Sequence, residues 1–142
     1  MTEQAVTPEI RKQIVYNADV ETVWNAVATA EGIESWFMAN DFQPEVGATF
    51  TLQSPFGPSP CQVTELQSPT HLSFSWGEAG WQLTFELEDV DGKAQLTLIH
   101  AGWGKPDEII PGPSQTNLEV RNRMSGGWDS LLEKDLRSVV ER

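Results

Sequence analysis

The sequence predicts an α+β fold in which one long C-terminal helix lies across the dry face of a curved antiparallel sheet. Three observations carry that expectation. The middle of the chain, residues 62–101, is a run of strands with period-two alternation. Short helical stretches follow the first strand. The last 27 or so residues, from about Gln115 to Glu141, repeat apolar residues at helical spacing. Strands grouped in sequence and flanked by helices favour a layered α+β arrangement over parallel βαβ units.

Residues 1–9 are polar, include Pro8 and read as a flexible tail. Residues 10–142 then form a single domain, the count that a length of 142 implies. Ile10 to Asn17 suits a first strand. Asp19 caps a helix whose Val20, Val23, Trp24 and Val27 share a face. Gly32 is expected to interrupt it, and a second helical turn carries Ile33, Trp36 and Phe37. Phe42, Pro44 and Gly47 bend the chain into a strand with Phe50 and Leu52. Ser54 to Pro60 reads as a loop, because proline cannot donate to a ladder and three fall within six residues. Strands follow at Gln62–Gln67, Leu72–Trp76, Trp81–Leu87 and Ala94–Ala101, with Asp91-Gly92 as a hairpin turn. The total is about six. Leu72, Phe74 and Trp76 share one face, as do Trp81, Leu83, Phe85 and Leu87, and Leu96, Leu98 and His100. Gly102 to Pro113 is Gly- and Pro-rich and long enough to serve as a lid.

Gly126-Gly127 sits inside the terminal helix, immediately before Trp128. A glycine pair costs a helix roughly 1–2 kcal/mol relative to alanine. Two explanations stand open: a close backbone approach, or room left for a ligand.

Charge and composition exclude several classes. With 9 basic and 21 acidic residues the net charge is −12, so nucleic acid is an unfavourable partner. No apolar run is long enough to insert in a membrane, and the N-terminus lacks the basic and apolar regions of a signal peptide. The single cysteine, Cys61, fits a reducing compartment; a cytoplasmic location is expected. Two distant histidines and one cysteine lack metal-site spacing, and Cys61 has no visible base to make it a nucleophile. No cofactor and no catalysis are expected.

The order of elements and the residues at its joints resemble the helix-grip fold of the START and birch-pollen-allergen superfamily. Within it the chain is similar to the activator of heat-shock protein 90 ATPase family, in its bacterial single-domain form. The segments that carry the resemblance are Val20 to Ala26, Glu31 to Phe37, Phe42 to Gly47 and Gly127 to Leu132. Gln53 to Cys61 and His100 to Glu108 look like a bacillar subgroup. Many members carry a histidine where this chain has Met124, so a role for that histidine does not transfer. The superfamily includes lipid carriers, hormone receptors, cyclases and chaperone cofactors, so the resemblance leaves the activity open.

Sheet face and helix are expected to enclose an apolar cavity for a small hydrophobic ligand, a lipid or a planar, polyphenol-like aromatic. The candidate lining is Phe50, Phe74, Trp76, Leu83, Phe85, Leu98 and His100 from the sheet, and Met124, Trp128, Leu131 and Leu132 from the helix. Trp36, Phe37 and Met38 are expected near one mouth, with Phe56 and Trp103 on loops beside it. For each of these, plain core packing is the competing reading. His100 is either a satisfied core histidine or a polar anchor for a ligand hydroxyl or carbonyl. His71 is expected to be exposed. Arg121 and Arg123 have surface ion pairs as their ordinary role and a ligand carboxylate as the alternative. A chaperone partner remains the alternative to a small ligand. A cyclase-like enzyme has no acid–base pair in the sequence to support it.

Overall fold

The computed structural model describes residues 7–54, 57–77, 80–110 and 115–141. Six strands form one antiparallel sheet: β1 (Ile10–Tyr16), β2 (Thr49–Ser54), β3 (Gly57–Gln67), β4 (His71–Trp76), β5 (Trp81–Val90) and β6 (Lys93–Ala101). Their spatial order is β1-β6-β5-β4-β3-β2, so β1 and β2 are the edges. Helices α1 (Val20–Val27) and α2 (Ala30–Trp36) follow β1, and a long helix spans residues 117–140. This is the helix-grip arrangement, with the curved sheet wrapped on the helix.

Local chemistry sets most of these elements. Asp19 Oδ1 accepts from the Thr22 amide at 2.8 Å and starts α1. Asp91 and Gly92 both take positive φ, 54° and 81°, as a tight two-residue hairpin turn requires. Thr116 and Glu119 form a reciprocal capping box at the start of α3 (Asn117–Ser130). Before it, Ile109–Ile110 (β7), in the stretch expected to be loop, pairs with Gln115–Thr116 (β8), where the terminal helix was expected to begin.

Three expectations are corrected. Gly32 does not separate the first two helices. The break falls at Ala28 and Thr29, and Thr29 caps α2 by accepting from the Gly32 amide at 2.9 Å. A Cβ at Gly32 would collide with the Asn25 carbonyl oxygen and Ala26 Cα, so α1 and α2 touch through this glycine. The proline segment is not all loop: β3 begins at Gly57 and contains Pro58 and Pro60. Both pair with β2 across from Gln53 and Thr51, in a part of β3 that extends beyond its ladder with β4. The Pro60 carbonyl accepts from Gly77 on the β4 side, so the missing N–H groups face that little-paired side and cost no β2 bond. Of the expected tail, residues 1–6 lie outside the described residues, while Thr7 is buried and donates through its hydroxyl to the Gly104 carbonyl at 2.7 Å.

The long helix is not uniform. After α3 comes a π-helical segment, Leu131–Leu136, and then α4 (Arg137–Val140). Val120, Trp128, Leu132, Leu136 and Val140 are buried and Met124 is half-buried, a row spaced every four residues. On a uniform α-helix such a row rotates by about 40° per step. The wider π turn takes back part of that rotation and keeps the row on the sheet. The Tyr16 hydroxyl, fully buried, donates to the Leu132 carbonyl at 2.9 Å inside this segment.

Candidate functional site

Period-two alternation in β4, β5 and β6 places Phe74 and Trp76, then Trp81, Leu83 and Phe85, then Leu98 and His100 on the helix-facing side. The register sets Trp76 beside Trp81, Phe74 beside Leu83, and Leu83 beside His100. The helix brings Trp128 down onto them. The result is a continuous train of rings. Trp128 lies 6.5 Å from Trp76, 6.1 Å from His100, 5.2 Å from Phe37 and 6.4 Å from Trp36, centroid to centroid. His100 continues it to Trp103 at 4.6 Å and Trp81 at 4.8 Å. In the other direction Trp36 meets Phe85 at 6.2 Å, Phe85 meets Phe74 at 6.4 Å, and Phe74 meets Phe50 at 5.1 Å.

His100 is the polar centre of this cluster and is fully buried. Its Nδ1 accepts from the Trp128 indole N–H at 3.1 Å, and its backbone carbonyl accepts from the Trp103 indole at 2.9 Å. Its Nε2 has no hydrogen-bond partner, and neither has the buried Nε1 of Trp81. Burial without a counter-charge pushes the His100 pKa down to about 3, so the ring is neutral at ordinary pH.

The candidate lining residues are thus largely gathered in one place, as fully or partly buried side chains. Trp36, Phe50, Phe74, Trp76, Leu83, Phe85, Leu98, His100, Trp103, Trp128 and Leu132 are buried. Phe37, Met38, Met124 and Leu131 are half-buried against them. Trp103 lies in the loop that follows β6, and its ring packs inward on His100 and on Trp81. Phe56 lies outside the described residues. Sequence reasoning left Trp81 out of the site although its alternation put it on the same face.

Other groups have structural partners. Arg121 donates to the Pro8 and Glu9 carbonyls at 3.1 and 3.2 Å, which ties the N-terminal segment to the helix. His71 is half-buried, held between Glu65 at 2.8 Å and Glu86 at 3.3 Å. Burial pushes the Cys61 thiol up to about 12. At Gly126 and Gly127 an added Cβ would meet nothing within 4 Å, and both face solvent. Of the two explanations left open for this pair, the close backbone approach is not found there; such an approach occurs at Gly32. On the outer face of the sheet a polar groove of about 500 Å³ is lined by residues including Arg11, Gln13, His71, Glu86, Gln95 and Thr97. Among the described residues no group of three His, Cys, Asp or Glu side chains could hold a metal ion, and no helix is long and apolar enough to cross a membrane.

A curved sheet closed on a long helix over an aromatic interior defines a helix-grip protein. The model of one family within that class, "Activator of Hsp90 ATPase homolog 1-like protein", matches residues 17–141, and the chain belongs to this family. Protein BH1534 of Bacillus halodurans is 44% identical, with a TM-score of 0.88 over 94% of this chain and 96% of that one. MLL2253 of Mesorhizobium loti shares the fold at 22% identity, with a TM-score of 0.80 over 95% and 98% of the two chains. The Aha1 dimer of Colwellia psychrerythraea shares it at 18% identity, with a TM-score of 0.75 over 94% and 96%. No curated protein matches the sequence.

Proposed function

We propose that this protein binds a small hydrophobic molecule, without catalysis, at the aromatic cluster between the sheet and the long helix. One observation carries the reading: a fully buried histidine at the centre of the cluster has a ring nitrogen with no partner in the protein. A core histidine that serves packing alone is ordinarily satisfied at both nitrogens, because a buried unpaired donor costs about 1–3 kcal/mol. The half-buried Phe37, Met38, Met124 and Leu131 form the edge that gives way on entry. Methionine suits that task through its flexible, unbranched chain. Flat rings or an acyl chain both fit the surrounding indoles and phenyls.

The test is a backbone amide shift titration of the labelled protein with pooled fatty acids, sterols and flat polyphenols. Shifts concentrated at Phe74, Trp76, His100, Met124 and Trp128 are expected. A spectrum silent to every pool defeats the reading.

A second reading, a chaperone-associated module as the family name suggests, is favoured by two apolar side chains near the start of the long helix. Ile109 is 56% exposed and Leu118 41%. Heat-shock protein 90 would then move the amides of these two residues and leave the aromatic cluster unchanged.

A further inference from the structure

The hydrogen bonds of His100 fix more than its position. The Trp128 indole can only donate, so the nitrogen that receives it, Nδ1, carries a lone pair. A neutral imidazole then has its single proton on Nε2. The partnerless atom is therefore a donor, not an acceptor. The second partnerless atom in the cluster, Trp81 Nε1, is also an N–H, on a ring whose centroid lies 4.8 Å from that of His100. Two buried, unpaired donor atoms stand on adjacent rings, and the protein supplies neither with an acceptor.

We propose that His100 Nε2–H, beside Trp81 Nε1–H, selects ligands that present an uncharged acceptor oxygen, with Trp128 as the positioning residue that fixes the tautomer. This rests on the aromatic cluster being the ligand site. A ketone, ester or amide oxygen satisfies the donors. A hydrocarbon leaves them unpaired, so the acceptor gains relative to it. A cation meets ring faces but leaves both donors unmet. An ionised carboxylate leaves water for a dry site with no positive side chain among the rings, in a chain of net charge −12. The low pKa of His100 agrees, since the imidazolium that would pair with an anion is disfavoured there. Selectivity thus comes from the penalty on ligands that leave the donors unmet.

The experiment uses three probes on one ring system: 9-fluorenone, fluorene and fluorene-9-carboxylate. Affinities are measured by tryptophan fluorescence, and the His100 and Trp81 ring N–H signals are followed by nitrogen-15 spectra. Fluorenone is expected to bind roughly tenfold more tightly than fluorene, with the carboxylate no tighter than fluorene. In the free protein His100 is expected in the Nε2–H form. Its signal and the Trp81 indole signal should move with fluorenone and not with fluorene. Trp128→Phe is expected to mix the tautomers and shrink the fluorenone preference. If that variant does not fold, the wild-type spectra still decide. Equal binding of fluorenone and fluorene at the cluster, tightest binding of the carboxylate, or an unprotonated Nε2 overturns the donor assignment and leaves the apolar site standing. No binding of any probe overturns the donor assignment, and together with a titration silent to every pool it overturns both.

Discussion

The glycine pair in the long helix offers a sharp test, because the structure separates two kinds of glycine. Gly126 and Gly127 lie inside α3 with exposed surfaces, and a methyl group at either meets no atom within 4 Å beyond the helix's own neighbouring backbone. Each replacement by alanine should therefore remove only the entropic penalty of glycine in a helix, about 0.5–1 kcal/mol. The double variant should gain roughly 1–2 kcal/mol if the two sites add. For a chain of this length that corresponds to a rise in Tm of roughly 3–8 °C. Gly32→Ala is the control: its new methyl would strike the Asn25 carbonyl and Ala26 Cα, both backbone, and should cost about 1–3 kcal/mol. Urea unfolding followed by tryptophan fluorescence measures all three variants, with the m-value checked for constancy. Probe affinity should not change in the double alanine variant, since the pair points away from the buried row. A loss of stability in that variant, or a neutral Gly32→Ala, would refute the reasoning. A weaker ligand interaction with increased stability would show that the step is kept for a motion and not for packing.

Other expectations follow from the same physics. Trp128→Phe loses buried volume and leaves His100 Nδ1 without its donor, so it should cost about 2–4 kcal/mol, whereas Met124→Leu should cost under about 1.5 kcal/mol; both are read from urea midpoints. His100 has a folded pKa of about 3 against 6.5 for the free side chain. Between those values the unfolded chain binds the proton and the folded one does not, so this group's stabilisation is complete above pH 6.5 and declines as pH falls towards 3. His100→Gln should flatten that part of the stability profile. Cys61, buried with its thiol held at about 12, should resist a thiol reagent at pH 8 in the native protein and react at once in urea.

Much of the fold was legible because its local signals agree with the global arrangement. Alternation in β4 to β6, the Asp91-Gly92 turn and the Asp19 cap each act over a few residues, and each is found as expected. The aromatic face was legible for the same reason: a period of two assigns a side without any knowledge of the partner. Where a residue's role depends on what arrives from far along the chain, the signal was missing. The two prolines of β3 looked like loop because proline opposes a ladder, and only the staggered end of β4 shows that no ladder bond is lost. The row Val120, Met124, Trp128, Leu132, Leu136 and Val140 was there to be read, but its constant step of four implies the π turn only once packing against the sheet keeps the whole row on one side of the helix.

His100 marks the division most clearly. The sequence by itself determined that a histidine sits on the apolar face of the last strand, since strand geometry alone requires it. Which nitrogen is engaged, and hence whether the free one donates or accepts, depends on Trp128, 28 residues away on another element. That choice is made by the packing of helix on sheet, because a hydrogen bond needs two groups within about 3 Å and only the folded chain brings them there. The same holds for the glycines. Sequence showed where side chains are missing. Tertiary structure decided that Gly32 is needed for the contact of α1 with α2 and that Gly126 and Gly127 face open solvent.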